Sequence, residues 1–231
     1  MRPAAPGMRG ALLACVLVLA CGMPASAQDL LARLRTSAPG IDAKVLKLAL
    51  EAVDCAASSG AARRPVRLAV IDYTRPSTQR RLWLFDIEKG TLLEHEYVAH
   101  GRGSGGNVPT RFSNTEGSYQ SSIGLFAAAE TYQGHNGYSL RLDGLEPGVN
   151  DHARERLLVM HGADYVDPVQ GRRQGRLGRS AGQPQLRPEA THEVIDALKD
   201  GQLLFAYADD AAWLGGSRFL GCDKAERKPA R

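Results

Sequence analysis

The sequence predicts one mixed α+β domain that is mostly β, with short helices near its N-terminus and one helix late in the chain. Three observations carry this. Apolar residues recur at strand spacing in a series of short runs between residues 66 and 207. Helical spacing is confined to residues 42–58 and 188–199. No internal repeat and no linker-like stretch divides the 231 residues.

The first element is a leader. Residues 1–10 carry Arg2 and Arg9 and no acid, residues 11–20 are unbroken apolar, and Gly22 and Pro24 then interrupt the run. Ala25-Ser26-Ala27 follows as a small-x-small cleavage signal. That order describes a secretory signal peptide over residues 1–27, and its apolar stretch is too short to span a bilayer. Val18-Leu19-Ala20-Cys21 also reads as a lipoprotein signal ending on an acylated Cys21, which stays open as the alternative. Either way the expected location is the periplasm or cell envelope.

Residues 28–60 form a helical segment. Residues 42–58 place apolar side chains on one face, with Asp42 as the N-cap. The body, residues 61–222, opens with strands at 66–73 and 82–87. Glu88-Lys89-Gly90 supplies a turn, so residues 82–100 read as a hairpin. Residues 101–113 are a long glycine-rich loop. Strands follow at 123–130, 138–142 and 157–160, the last delivering His161 at its end. A helix at 188–199 and a strand at 202–207 complete the body, and residues 223–231 are a charged tail expected to be disordered.

Composition removes several function classes. Arg2 and Arg9 account for half of the formal charge of +4, and much of the remaining basic excess sits in the tail. No basic stripe interleaves with aromatics, which argues against a nucleic-acid partner. Beyond Gln28 no apolar run is long enough for a transmembrane segment. With Cys15 and Cys21 in the leader, Cys55 and Cys222 remain. In an exported protein two cysteines form a disulfide, and neither lies among residues that would activate a thiol.

Simple motifs give little. The glycines at 101, 103, 105 and 106 lack the Gly-Lys-Ser/Thr of a phosphate loop, and read as a substrate-side loop. His161 and Asp164 with His152 or His135 give no recognised metal spacing, so neither metal nor cofactor is expected. Ser180 lacks a nucleophile elbow, and a loop hydrogen bond is the bland reading of its hydroxyl.

One constellation is more specific. Met160-His161-Gly162-Ala163-Asp164-Tyr165-Val166 is followed by Gly175-Arg176-Leu177-Gly178-Arg179-Ser180-Ala181-Gly182-Gln183-Pro184. Together with residues 77–86, 98–104, 111–122, 139–146 and 150–161, this resembles the L,D-transpeptidase (YkuD-type) family, in its murein L,D-transpeptidase branch. The resemblance runs from about residue 66 to 207 and implies a β-sandwich domain acting on peptidoglycan stem peptides. In that family a histidine at a strand end activates a cysteine in a Ser-x-Gly-Cys loop, and loop amides stabilise the oxyanion. The resemblance puts His161 at the general base, Gly162 at the residue orienting it, and Gly182 in the nucleophile loop. His100, Arg179 and Ser180 fall at substrate-side positions. The nucleophile position itself is Gln183, and Ala181 departs from the aromatic of this branch. A carboxamide forms no thiolate, which implies a pseudoenzyme retained to bind stem peptides or a cell-wall enzyme partner. An active acyltransferase or hydrolase using Ser180 is the alternative.

Overall fold

The structure, a computed structural model, describes residues 25–222. Residues 1–24, most of the expected signal peptide 1–27, and the expected tail 223–231 lie outside the described residues.

Two helices open the described chain, α1 (Ala25–Ser37) and α2 (Ala43–Ser58). Asp42 caps α2 as expected, its carboxylate accepting from the amides of Lys44 and Val45 at 2.7 and 3.4 Å. The buried stripe Val45, Leu46, Ala49, Leu50 and Val53 packs into the same core as Leu68, Val70 and Phe205 of the strands. The helical segment and the body therefore share one hydrophobic core. The Cys55–Cys222 disulfide ties α2 to the far end of the described chain.

Nine strands form one mixed sheet: β1 (Arg67–Asp72), β2 (Leu82–Asp86), β3 (Thr91–Glu96), β4 (Val98–Ala99), β5 (Gly124–Gly134), β6 (Gly137–Gly144), β7 (Val159–Gly162), β8 (Gln185–Leu186) and β9 (Leu203–Tyr207). The remaining helices are α3 (Pro168–Gln174), α4 (Pro188–Leu198) and α5 (Ala211–Gly216). The strand order is β3-β2-β1-β9-β5-β6-β7-β8-β4. Its two ends, β3 and β4, are separated in the chain by Tyr97 alone. The sheet therefore curls round until its ends approach, giving a barrel-like body. All residues of β2 and β9 are buried, so these strands are covered on both faces.

The structure departs from the sequence expectations at identifiable places. Leu157 has φ +54 and lies outside the strand, which begins at Val159, so His161 sits within β7 instead of after it. Helix α3 carries no apolar periodicity; it is started by the Asp167 cap and Pro168 and stopped by Gly175 at φ +75. Strands β4 and β8 have two residues each, too few for a period to register. Among the described residues no helix is long and apolar enough to cross a membrane.

Candidate functional site

The site lies where β7, β8 and β4 meet. His161 pairs across β7 with Ser139 of β6 on one side and with Gln185 of β8 on the other. Its Nδ1 lies 2.7 Å from the carbonyl oxygen of Gly162. A carbonyl can only accept, so Nδ1 carries the ring hydrogen and Nε2 keeps the lone pair. Burial pulls the His161 pKa below its ordinary value, with the Gly162 bond opposing, so the ring is neutral near pH 7. Gly162 is also required sterically: a Cβ there would come within 2.6 Å of the Thr191 hydroxyl on α4.

The 180–184 turn carries the other half of the site. Ser180 is buried, and its hydroxyl donates to the Gln183 carbonyl at 2.6 Å while accepting from the Gly182 amide at 3.0 Å. That oxygen closes the turn and is bonded on both sides by loop backbone. Gly182 has φ +125, and an added Cβ would come within 2.9 Å of the Gln120 carbonyl oxygen. Its own carbonyl accepts from Ser121 Oγ at 3.2 Å. Gln183 is half-buried at the bend.

The glycine-rich segment supports this turn instead of standing clear of it. Ser180 donates its amide to the His100 carbonyl at 3.0 Å, and Arg102 donates to the Ser180 carbonyl at 2.8 Å. Arg179 reaches back through Nη1 to the Gly105 carbonyl at 2.6 Å. His100 is only 1% exposed, and its Nδ1 accepts from Arg81 Nη2 at 2.8 Å. Burial first, and the Arg81 guanidinium second, drive its pKa down to about 3. With Nδ1 accepting, the hydrogen is on Nε2, which is buried without a partner. His100 and Ser180 therefore lie beneath the loop surface, whereas Gln183 and Arg179 are half-buried at it.

Three side chains of the site went unassigned at the level of sequence. Gln185 is buried and places its amide nitrogen 2.6 Å from His161 Nε2. Its position two residues after Gln183 was the available signal. Arg156 has no carboxylate partner among the described residues and donates to the Ser113 carbonyl, Ser122 Oγ, Ser118 Oγ and the Gln120 carbonyl, pinning the 113–122 loop under Gly182. Tyr119, at φ +54, is 44% exposed with the Arg102 guanidinium 3.8 Å above its ring. Among the described residues no three His, Cys, Asp or Glu side chains gather as a metal-ligand set.

Residues 37–207 match the family model described as the L,D-transpeptidase catalytic domain (YkuD type). Solved structures similar to the chain include an L,D-transpeptidase from Mycobacterium smegmatis, at 14% identity over 62% of this chain and 59% of that one, TM-score 0.38. Another is an L,D-transpeptidase from Stackebrandtia nassauensis, at 13% identity over 78% of this chain and 77% of that one, TM-score 0.39. A third is L,D-transpeptidase 1 from Mycobacterium tuberculosis, at 14% identity over 62% of each chain, TM-score 0.35. The match thus spans less than two thirds of the first of these proteins. No curated protein matches the chain. Since the family model covers most of the sequence, the chain belongs to the L,D-transpeptidase catalytic-domain family.

Proposed function

We propose that this protein is an exported, peptidoglycan-directed member of its family that binds stem peptides without performing cysteine-based acyl transfer. The observation that carries the reading is Gln183 at the family's nucleophile position, within an ordered turn and two residues before the strand partner of a neutral, oriented His161. Loss of a nucleophile in a hydrolytic triad costs on the order of a millionfold in kcat, and no neighbouring group replaces it here. The Ser180 hydroxyl closes its own turn, and the two cysteines of the described chain are joined in a disulfide. A base that keeps its orientation and a loop that keeps its hydrogen bonds fit a retained binding surface. Export rests on the leader sequence, and the lipoprotein anchor at Cys21 is the alternative mode of retention in the envelope.

Two measurements test the reading. Intact-mass spectrometry after incubation with a tetrapeptide stem or a carbapenem should show no covalent adduct, and an acyl adduct on any residue would refute inactivity. Co-sedimentation with purified sacculi should retain the protein, and retention should fall in Arg179→Ala after circular dichroism has confirmed its fold. Equal retention of the two proteins would remove the binding role at this loop.

A further inference from the structure

We propose that Gln185 is an internal cap on His161, a positioning residue occupying the one imidazole nitrogen that a nucleophile at residue 183 would need. The site is then silenced at two residues. The inference rests on the reading of Gln183 as the vacated nucleophile position and extends it to a second side chain.

The geometry leaves little freedom. His161 Nδ1 must donate to the Gly162 carbonyl at 2.7 Å, so the single lone pair of the neutral ring is on Nε2. The amide nitrogen of Gln185 lies 2.6 Å from that atom, in position to donate into it. Placing the amide oxygen there instead would require hydrogens on both ring nitrogens, an imidazolium. His161 is 4% exposed, and no carboxylate is bonded to it, so burial opposes that charged form. That orientation has a cost, since Oε1 is left buried with no hydrogen-bond partner. The amide leaves its own carbonyl unsatisfied while keeping the contact with the ring. Register holds the pair together, because His161 and Gln185 are direct partners between β7 and β8.

The consequence is chemical. In a cysteine acyl transferase the thiol proton passes to the histidine, giving a thiolate and an imidazolium. The thiolate then adds to the acyl carbon, the bond to the leaving nitrogen breaks, and the imidazolium returns its proton to that nitrogen. The first transfer needs a free lone pair on the ring. Residue 183 lies two positions before Gln185, the strand partner of His161, so a thiol placed there would be offered to this ring. It would meet an Nε2 that already accepts an amide hydrogen.

The test compares thiols placed in the full chain. Gln183→Cys and Gln183→Cys/Gln185→Ala are titrated by the pH dependence of iodoacetamide alkylation, with the modified residue located by peptide mass spectrometry. The single variant should titrate near the ordinary thiol value of about 8.5. The double variant should titrate at lower pH and react roughly tenfold faster at pH 6.5, as one unit of pKa change requires. Identical profiles, or a single variant already shifted to low pH, would overturn the proposal. A second measurement needs no cysteine: imidazole nitrogen shifts of His161 in the unsubstituted protein should show hydrogen on Nδ1 and none on Nε2. Hydrogen on Nε2 near neutral pH would also overturn it, even if the double variant failed to fold. Acylation of the unsubstituted protein by a carbapenem would remove the proposed function instead, and leaves these comparisons intact.

Discussion

Replacing Arg81 with methionine should destabilise the protein by about 3 kcal/mol, a figure that follows from its surroundings. The guanidinium is fully buried and, among the described residues, has no carboxylate bonded to it. It donates twice to the Val98 carbonyl, at 3.1 and 2.8 Å, once to the Arg75 carbonyl at 3.0 Å, and once to His100 Nδ1 at 2.8 Å. Burial lowers its pKa to about 10, against the opposing pull of Tyr73 and Asp72, so it is charged at neutral pH. A hydrogen bond to a charged group contributes roughly 1.5–3 kcal/mol net, and three acceptors lose their donor. Relief of the desolvated cation offsets part of that sum, and methionine fills much of the volume. At this chain length the loss corresponds to a melting temperature lower by roughly 6–12 °C. Thermal unfolding followed by circular dichroism, and urea unfolding followed by tryptophan fluorescence, provide the assay. Trp83, two residues along β2, reports from inside the same core. A melting temperature equal to that of the unsubstituted protein would refute the reasoning, because it would mean that the cation's desolvation cancels all its bonds.

Further expectations follow from the same structure. Acidification should destabilise the fold through His100: its folded pKa, about 3, lies below the unfolded value near 6.5, so its contribution is complete above 6.5 and declines as the pH falls toward 3. The slope should approach 1.4 kcal/mol per pH unit for this one group, and a set of urea midpoints between pH 7 and pH 4 measures it. Gly101→Ala should disorder the turn, since its Cβ would overlap the Tyr119 carbonyl and sit 2.8 Å from Gly182 Cα; amide exchange at residues 180–184 should rise. Asp42→Ala should remove the α2 cap and cost about 1 kcal/mol in urea unfolding. Cys55→Ser with Cys222→Ser opens a closure spanning 167 residues and should cost roughly 2–5 kcal/mol, read from melting under non-reducing conditions.

Much of the fold was legible because its larger elements obey simple periods. The helix at α2 announces itself by its apolar stripe and its Asp42 cap, and β1, β2 and β9 by runs that are almost wholly buried. The motif from His161 to Pro184 joins segments that the structure also brings close, since His161 pairs with Gln185 just after the turn. What escaped detection has no period to show. β4 and β8 exist because neighbouring strands hold them, and α3 exists because Asp167 and Gly175 delimit it. The roles inside the site depended on contacts between residues far apart in the chain. Arg156 meets Ser113 and Gln120, and Arg81 meets His100, through folding alone. Exposure was equally invisible, so His100 and Ser180 could be placed at the substrate side by motif yet lie under the loop.

The single residue between β3 and β4 has a dynamic consequence. A sheet parts most readily at its shortest ladders, and here these are the seam of β8, two residue pairs long with β4 and two with β7. Wider contacts such as β5 with β6, paired at seven positions, hold the remainder together. The candidate site is built on this seam, with Gln185 belonging to it and Gln183 at its lip. Breathing of the seam loosens the ground beneath the site while the rest of the barrel stays zipped, so the local opening energy there is set apart from the global one.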